Sequence, residues 1–157
     1  PIHKKGDRDN IQNYRPVSIL PITSKLFEKI LFKNIYNFLH SQRIISDHQS
    51  GFKPGDSTVN QLAFLYHKFC EALDKKKDVR VIFCDISKAF DRVWHSGLIH
   101  KMKAVGIDGD VLLLLEDYLC NRQQRVVIKG QSSEWGEIRA GVPQGSVMGP
   151  LMFLIYI

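Results

Sequence analysis

Three stretches of this 157-residue sequence hold residue types that chemistry needs. Asp85 stands at the C-terminal end of the apolar run Val81-Ile82-Phe83-Cys84, with Ile86 after it. A carboxylate at the end of a buried strand is costly unless it emerges into solvent, is paired, or holds a cation. The alternative is an Asp that caps a helix running from Ser87 onward, and position alone does not choose between the two. Five residues on stands Phe90, at a spacing that suits a core aromatic equally well. Far downstream, Gly141-Val142-Pro143-Gln144-Gly145-Ser146 forms a turn whose glycines let a backbone approach a flat ligand closely. Gln144 adds a donor and an acceptor there, although Pro-Gln-Gly by itself marks a loop and nothing more.

The elements that must position these residues follow from periodicity. Residues 79–86 are β-rich and continuously apolar rather than alternating, which predicts a strand covered on both faces. Between Thr23 and His40, Phe27, Ile30, Leu31, Ile35, Phe38 and Leu39 recur at three- and four-residue spacing, predicting an amphipathic helix packed through that face. Thr58 with Gln61 offers a capping box for a second helix lined by Leu62, Leu65, Phe69 and Leu73 and closed by Lys75 to Lys77. Helical spacing returns over 88–105 and ends near Gly106, and Asp110 is placed to cap a helix over Val111 to Leu119. Arg125 to Lys129 and Trp135 to Arg139, joined by Gly130-Gln131-Ser132-Ser133, predict a hairpin, and a final helix follows the 141–146 turn. At the other end, Lys4-Lys5-Gly6-Asp7 suits a turn between two short extended pieces, and the prolines around Arg15 to Pro21 keep that segment extended. Ile44 to Asp56 reads as a loop.

A hydrophobic content of 44% excludes a disordered tail. The longest run with few charges, Val142 to Ile157, is broken by prolines and glycine and falls short of the roughly 20 apolar residues of a membrane span, so no membrane partner is expected. Lys plus Arg number 22 against 16 acids, and the surplus lies toward the N-terminus, where residues 1–50 carry 8 basic and 4 acidic side chains. That half could meet a polyanion through counterion release, or be merely a soluble basic surface. Cys70, Cys84 and Cys120 are far apart and odd in number, so they are expected to be reduced, buried and inert. The chain opens on Pro1 and stops inside an apolar run at Ile157, which reads as a fragment.

Five blocks, in order, carry a more specific signal. They are Asn13-Tyr14-Arg15-Pro16-Val17-Ser18; Gln49 to Gly55 with Ser57-Thr58; Phe83 to Asp91; Tyr118-Leu119 with Asn121-Arg122 and Gln124; and Gly141 to Val147 with Gly149-Pro150-Leu151. Together they resemble the reverse transcriptases of non-LTR (LINE-type, jockey-like) retrotransposons over nearly the whole chain. A group II intron or retron type of reverse transcriptase would share the palm, but the Asn13 to Ser18 block leans against it. The rival from another class is a non-catalytic nucleic-acid-binding remnant of a decayed element.

The resemblance implies an α/β (α+β) right-hand polymerase, fingers plus partial palm, with an incomplete reverse transcriptase domain over 1–157. Residues 1–78 would be mainly fingers and 79–157 mainly palm, with the 79–86 strand central and helices on one face. It implies RNA-directed DNA synthesis on an RNA template, from a DNA or RNA primer, with dNTP as substrate and two Mg²⁺ ions. Asp85 matches the first catalytic carboxylate and metal ligand, with the Ile86 carbonyl assisting. Phe90 matches the aromatic that collides with a ribose 2′-hydroxyl, and Gln144 and Gly145 match the loop against the nascent base pair. Arg15, with Lys4 or Lys5, matches the cations that grip the triphosphate; a guanidinium's planar fork suits phosphate, though an Arg before Pro is commonly a plain surface residue. Gly51 to Gly55 match a segment near the template, and Asp91 receives no metal role. The family's second carboxylate comes from a Phe/Tyr-Ala-Asp-Asp hairpin that these residues lack, so the 157 residues alone are expected to polymerise nothing. An intracellular, nuclear location is implied by resemblance only, and the oligomeric state is left open.

Overall fold

A short antiparallel ladder opens the chain, because Gly6 takes a left-handed turn that lets the polypeptide double back (φ +85°). Strand β1 (Ile2–His3) pairs with β2 (Tyr14–Arg15), Ile2 opposite Arg15. The computed structural model describes all 157 residues. They fall into two compact units, Pro1–Ile44 with Lys88–Ile157, and Ile45–Ser87.

In the first unit, α1 (Ile22–Ser41) follows the proline-bracketed segment. Then come α3 (His95–Ala104), α4 (Gly109–Leu119) and α5 (Met148–Tyr156), while α2 (Thr58–Asp74) belongs to the second unit. Helix α5 is apolar nearly all round, and Met148, Leu151, Met152, Phe153 and Ile155 are buried, as such a helix must be. It packs against α1 and α3, and α4 packs on α3. Leu39 from α1, Leu98 and Met102 from α3, and Leu115 and Leu119 from α4 complete the core. Each such side chain contributes roughly 1.5–3 kcal/mol through burial.

A hairpin projects between α4 and α5. Strand β3 (Gln123–Gln124) pairs with β6 (Gly136–Glu137), and β4 (Val127–Ile128) with β5 (Gln131–Ser132), all antiparallel. Lys129 and Gly130 at its tip both have positive φ (49° and 80°), the two-residue turn that matches the twist of paired strands. The predicted hairpin is present but its turn is corrected: Lys129-Gly130 make the turn, and Gln131–Ser132, expected in the loop, form β5, because Ile128 pairs with Gln131.

In the second unit, Ser57 rather than Thr58 caps α2, its hydroxyl accepting from the Asn60 amide at 3.2 Å. Gln61 instead accepts from the Ser50 hydroxyl at 2.6 Å, tying the loop to the helix. Glu71 bridges Lys68 and Lys75 along the exposed side. No residue of α2 is buried, so the predicted apolar line is only partly covered, at Leu65 and Phe69.

Several expectations need correction. Residues 79–86 are not a strand and are exposed, with Ile82 at 87% and Phe83 at 86%. A strand exists only through a neighbour that takes its amides and carbonyls, and no other strand of this chain pairs with it. The expected mixture of helix and sheet nevertheless holds, as helices with three two-stranded ladders. Helix α1 buries Glu28, Ile35 and Leu39 but leaves Phe27 and Ile30 exposed, so its packed stripe is rotated from the predicted one. Over 88–105 only His95 onward is α-helix; Ala89–Arg92 is a 3₁₀ turn, and Asp108, not Asp110, sits at the N-cap of α4. Cys70 is half-buried while Cys84 and Cys120 are exposed, all three as free thiols.

Candidate functional site

The 141–146 loop and the turn around Phe90 are laced together in the first unit. The Gly141 amide donates to the Val93 carbonyl and the Val142 amide to the Phe90 carbonyl, each at 2.8 Å. From α3, the His95 ring donates through Nε2 to the Gly141 carbonyl at 2.8 Å. The Gln144 side chain donates through Nε2 to Asp91 Oδ1 at 2.8 Å, and its backbone carbonyl accepts from the Ser18 amide at 2.7 Å.

Two glycines make this lacing possible. Gly141 has φ +89°, and a Cβ there would stand 3.0 Å from Asp91 Cα and from the Phe90 and Asp91 carbonyl oxygens. Gly145 has φ +111°, and its Cβ would meet the Ser18 carbonyl oxygen at 2.9 Å. The close approach that these glycines allow is to the chain's own backbone. Gly141→Ala combines a left-handed alanine with a backbone clash, and is expected to lower the unfolding free energy by about 3 kcal/mol. A urea titration showing a loss under about 1 kcal/mol would mean that the loop shifts aside freely.

Phe90 is half-buried and stacks on Phe153 of α5, ring centroids 4.9 Å apart. Arg15 lies on β2, exposed and with no acidic partner, three residues before the Ser18 that holds Gln144. Lys5 is exposed in the turn between β1 and β2, and Lys88 donates to Gln12 Oε1 at 2.9 Å, linking that turn to the Phe90 segment. The structure therefore sets Gln144 against Asp91, the residue after Phe90, and Gly145 against Ser18, three residues beyond Arg15 of β2.

Asp85 and Ile86 belong to the second unit, where both are exposed. The Asp85 carboxylate accepts no hydrogen bond and forms no ion pair, and the 3₁₀ turn that follows has Lys88 at its N-cap. The capping alternative for Asp85 is therefore not realised. Nowhere do three or more His, Cys, Asp or Glu side chains gather in a way that holds a metal.

One residue behind this site gave no sequence signal. Glu28, on α1 and only 2% exposed, accepts through Oε2 from the Val147 amide at 2.7 Å and the Met148 amide at 3.1 Å. Its Oε1 accepts from the Tyr118 hydroxyl at 3.3 Å, and burial pushes that phenol above its ordinary 10.0. Helix α5 thus begins on a carboxylate borrowed from another helix. At its far end the Lys101 ammonium donates to the Tyr156 carbonyl. A helix that starts in the core needs acceptors for its first amides, and a cation suits its last carbonyls.

Known proteins are similar to this sequence. A probable RNA-directed DNA polymerase from transposon BS of Drosophila melanogaster is 39% identical over 156 residues. One from transposon X-element of the same species is 40% identical, and the RNA-directed DNA polymerase from mobile element jockey is 34% identical. Each alignment covers 99% of this chain but 17% of the relative. The family model described as reverse transcriptase (RNA-dependent DNA polymerase) matches residues 2–157, and with the ordered blocks and the laced loop already in view, the chain belongs to the reverse transcriptase family.

Proposed function

We propose that the protein carrying this chain is an RNA-directed DNA polymerase of a non-LTR retrotransposon, working from a primer on an RNA template in the nucleus. Residues 1–78 serve mainly as fingers and 79–157 mainly as the first part of the palm. The observation that carries this reading is the lacing of Gly141, Val142 and Gln144 onto the Phe90–Val93 segment, which sets the glutamine loop beside the aromatic that the family's chemistry needs near it.

Reverse transcriptases use divalent metal ions. The residues present fit part of such a site, because Asp85 offers an exposed carboxylate held by no other group and the Ile86 carbonyl adds a second hard oxygen. Bound there, Mg²⁺ supplies stabilisation of charge on the phosphoryl oxygens in nucleotidyl transfer. The chain's own residues do the positioning. Arg15, with Lys5, takes the triphosphate; the Phe90 ring, backed by Phe153, excludes a 2′-hydroxyl; Gln144 and Gly145 line the nascent base pair.

Primer extension on an RNA template by the full-length protein tests the reading. Extension with dNTPs is expected, none from the 157 residues alone, and Phe90→Ala is expected to raise ribonucleotide incorporation by about tenfold, since the clash is gone. Salt-steep RNA binding without extension in the full-length protein would identify a non-catalytic remnant instead.

A further inference from the structure

We infer that Asp91 is a positioning residue for Gln144, and that it sets how the chain discriminates among incoming nucleotides. The inference rests on the reading of Gln144 given above. A primary amide has two nearly isosteric ends, a donor and an acceptor, and an unrestrained glutamine presents either one. An ionised carboxylate only accepts, so Asp91 Oδ1 admits the Nε2 end of Gln144 alone. The carbonyl end is thereby turned away from Asp91, and its orientation is set.

An exposed hydrogen bond of this kind is weak when both partners hang on mobile stems. Here the backbones are held. Asp91 lies between two carbonyls, of Phe90 and Val93, that accept from the 141–142 amides, and its own amide donates to the Lys88 carbonyl at 3.0 Å. Gln144 is tied through its carbonyl to Ser18. Little freedom is left to lose when the two side chains meet, so the pair acts as a fixed bracket beside Phe90. The reacting atoms never touch Asp91; it acts through the amide it orients.

Single-nucleotide incorporation by the full-length protein tests this. Asp91→Asn can bond either end of the amide, and is expected to raise the dNTP KM about tenfold and to increase misinsertion, with kcat within about twofold of the parent. Asp91→Glu, which still only accepts, is expected to recover most of the loss. In the Gln144→Ala background, Asp91→Asn is expected to add nothing, because the group it orients is gone. Independently of activity, the Gln144 side-chain amide protons of the 157-residue chain are expected to shift in ¹H–¹⁵N spectra on Asp91→Asn. Unchanged KM and fidelity in Asp91→Asn while Gln144→Ala alters both, or an additive double variant, would overturn the inference and leave the reading of Gln144 standing. An unaltered KM in Gln144→Ala would instead remove that reading, and the inference with it.

Discussion

Asp85→Asn in the full-length protein is expected to abolish RNA-templated DNA synthesis, a fall on the order of 10³-fold or more, while leaving RNA affinity within about twofold. Asparagine keeps the shape and one oxygen of aspartate but loses the charge that a hard divalent cation selects. Folding is not at stake, because Asp85 is exposed and bonded to nothing, so the change in stability stays within about 0.5 kcal/mol. Loss of extension with an unchanged melting curve therefore isolates the chemical role. If a tenth or more of the parent rate persists, Asp85 holds no catalytic ion. Adding Mg²⁺ in excess is not expected to restore the variant, since the missing element is ligand charge rather than metal supply.

The second large effect belongs to Glu28 and is one of stability. Glu28→Ala strands the Val147 and Met148 amides at the start of a buried helix and removes the acceptor of Tyr118. Each buried donor left unpaired costs about 1–3 kcal/mol, so a combined loss of about 4 kcal/mol is expected. Against the 5–15 kcal/mol of a typical domain, that is between about a quarter and four-fifths of the total. Glu28→Gln retains one acceptor oxygen and is expected to lose only about 1–2 kcal/mol. Chemical denaturation of the two variants decides the matter: equal losses would show that the charge matters and the acceptor geometry does not. A loss under about 1 kcal/mol in Glu28→Ala would mean that water replaces the carboxylate.

Much of this organisation was legible because it is local. The period of α1, the apolar course of α5, the hairpin around Gly130 and the extended segment after Arg15 each follow from a few neighbouring residues. The family was legible because five separate blocks keep their order, and relatives and family model agree with it. What escaped depends on distant partners. Residues 79–86 have the composition of a buried strand, yet strand formation needs a neighbour that composition cannot name. Glu28 sits between Phe27 and Lys29, where a helical glutamate looks like a solvated charge; the amides it serves lie 119 and 120 residues away. Caps moved by one or two positions, to Ser57 and Asp108, because several adjacent residues are competent there and tertiary geometry selects among them. Phe27 and Ile30 share the apolar side of α1, but α5 meets that helix along the Glu28–Ile35–Leu39 stripe, and the aromatic ring is left outside.

The late position of α5 bears on how the protein is made. A ribosome delivers α1 first, with the Glu28 carboxylate and the Leu39 side chain waiting for a binding surface that is more than a hundred residues from being translated. The first unit cannot close its core until translation has reached Tyr156, so the apolar sides of α1 and α3 stay bare while residues 105–156 are being added.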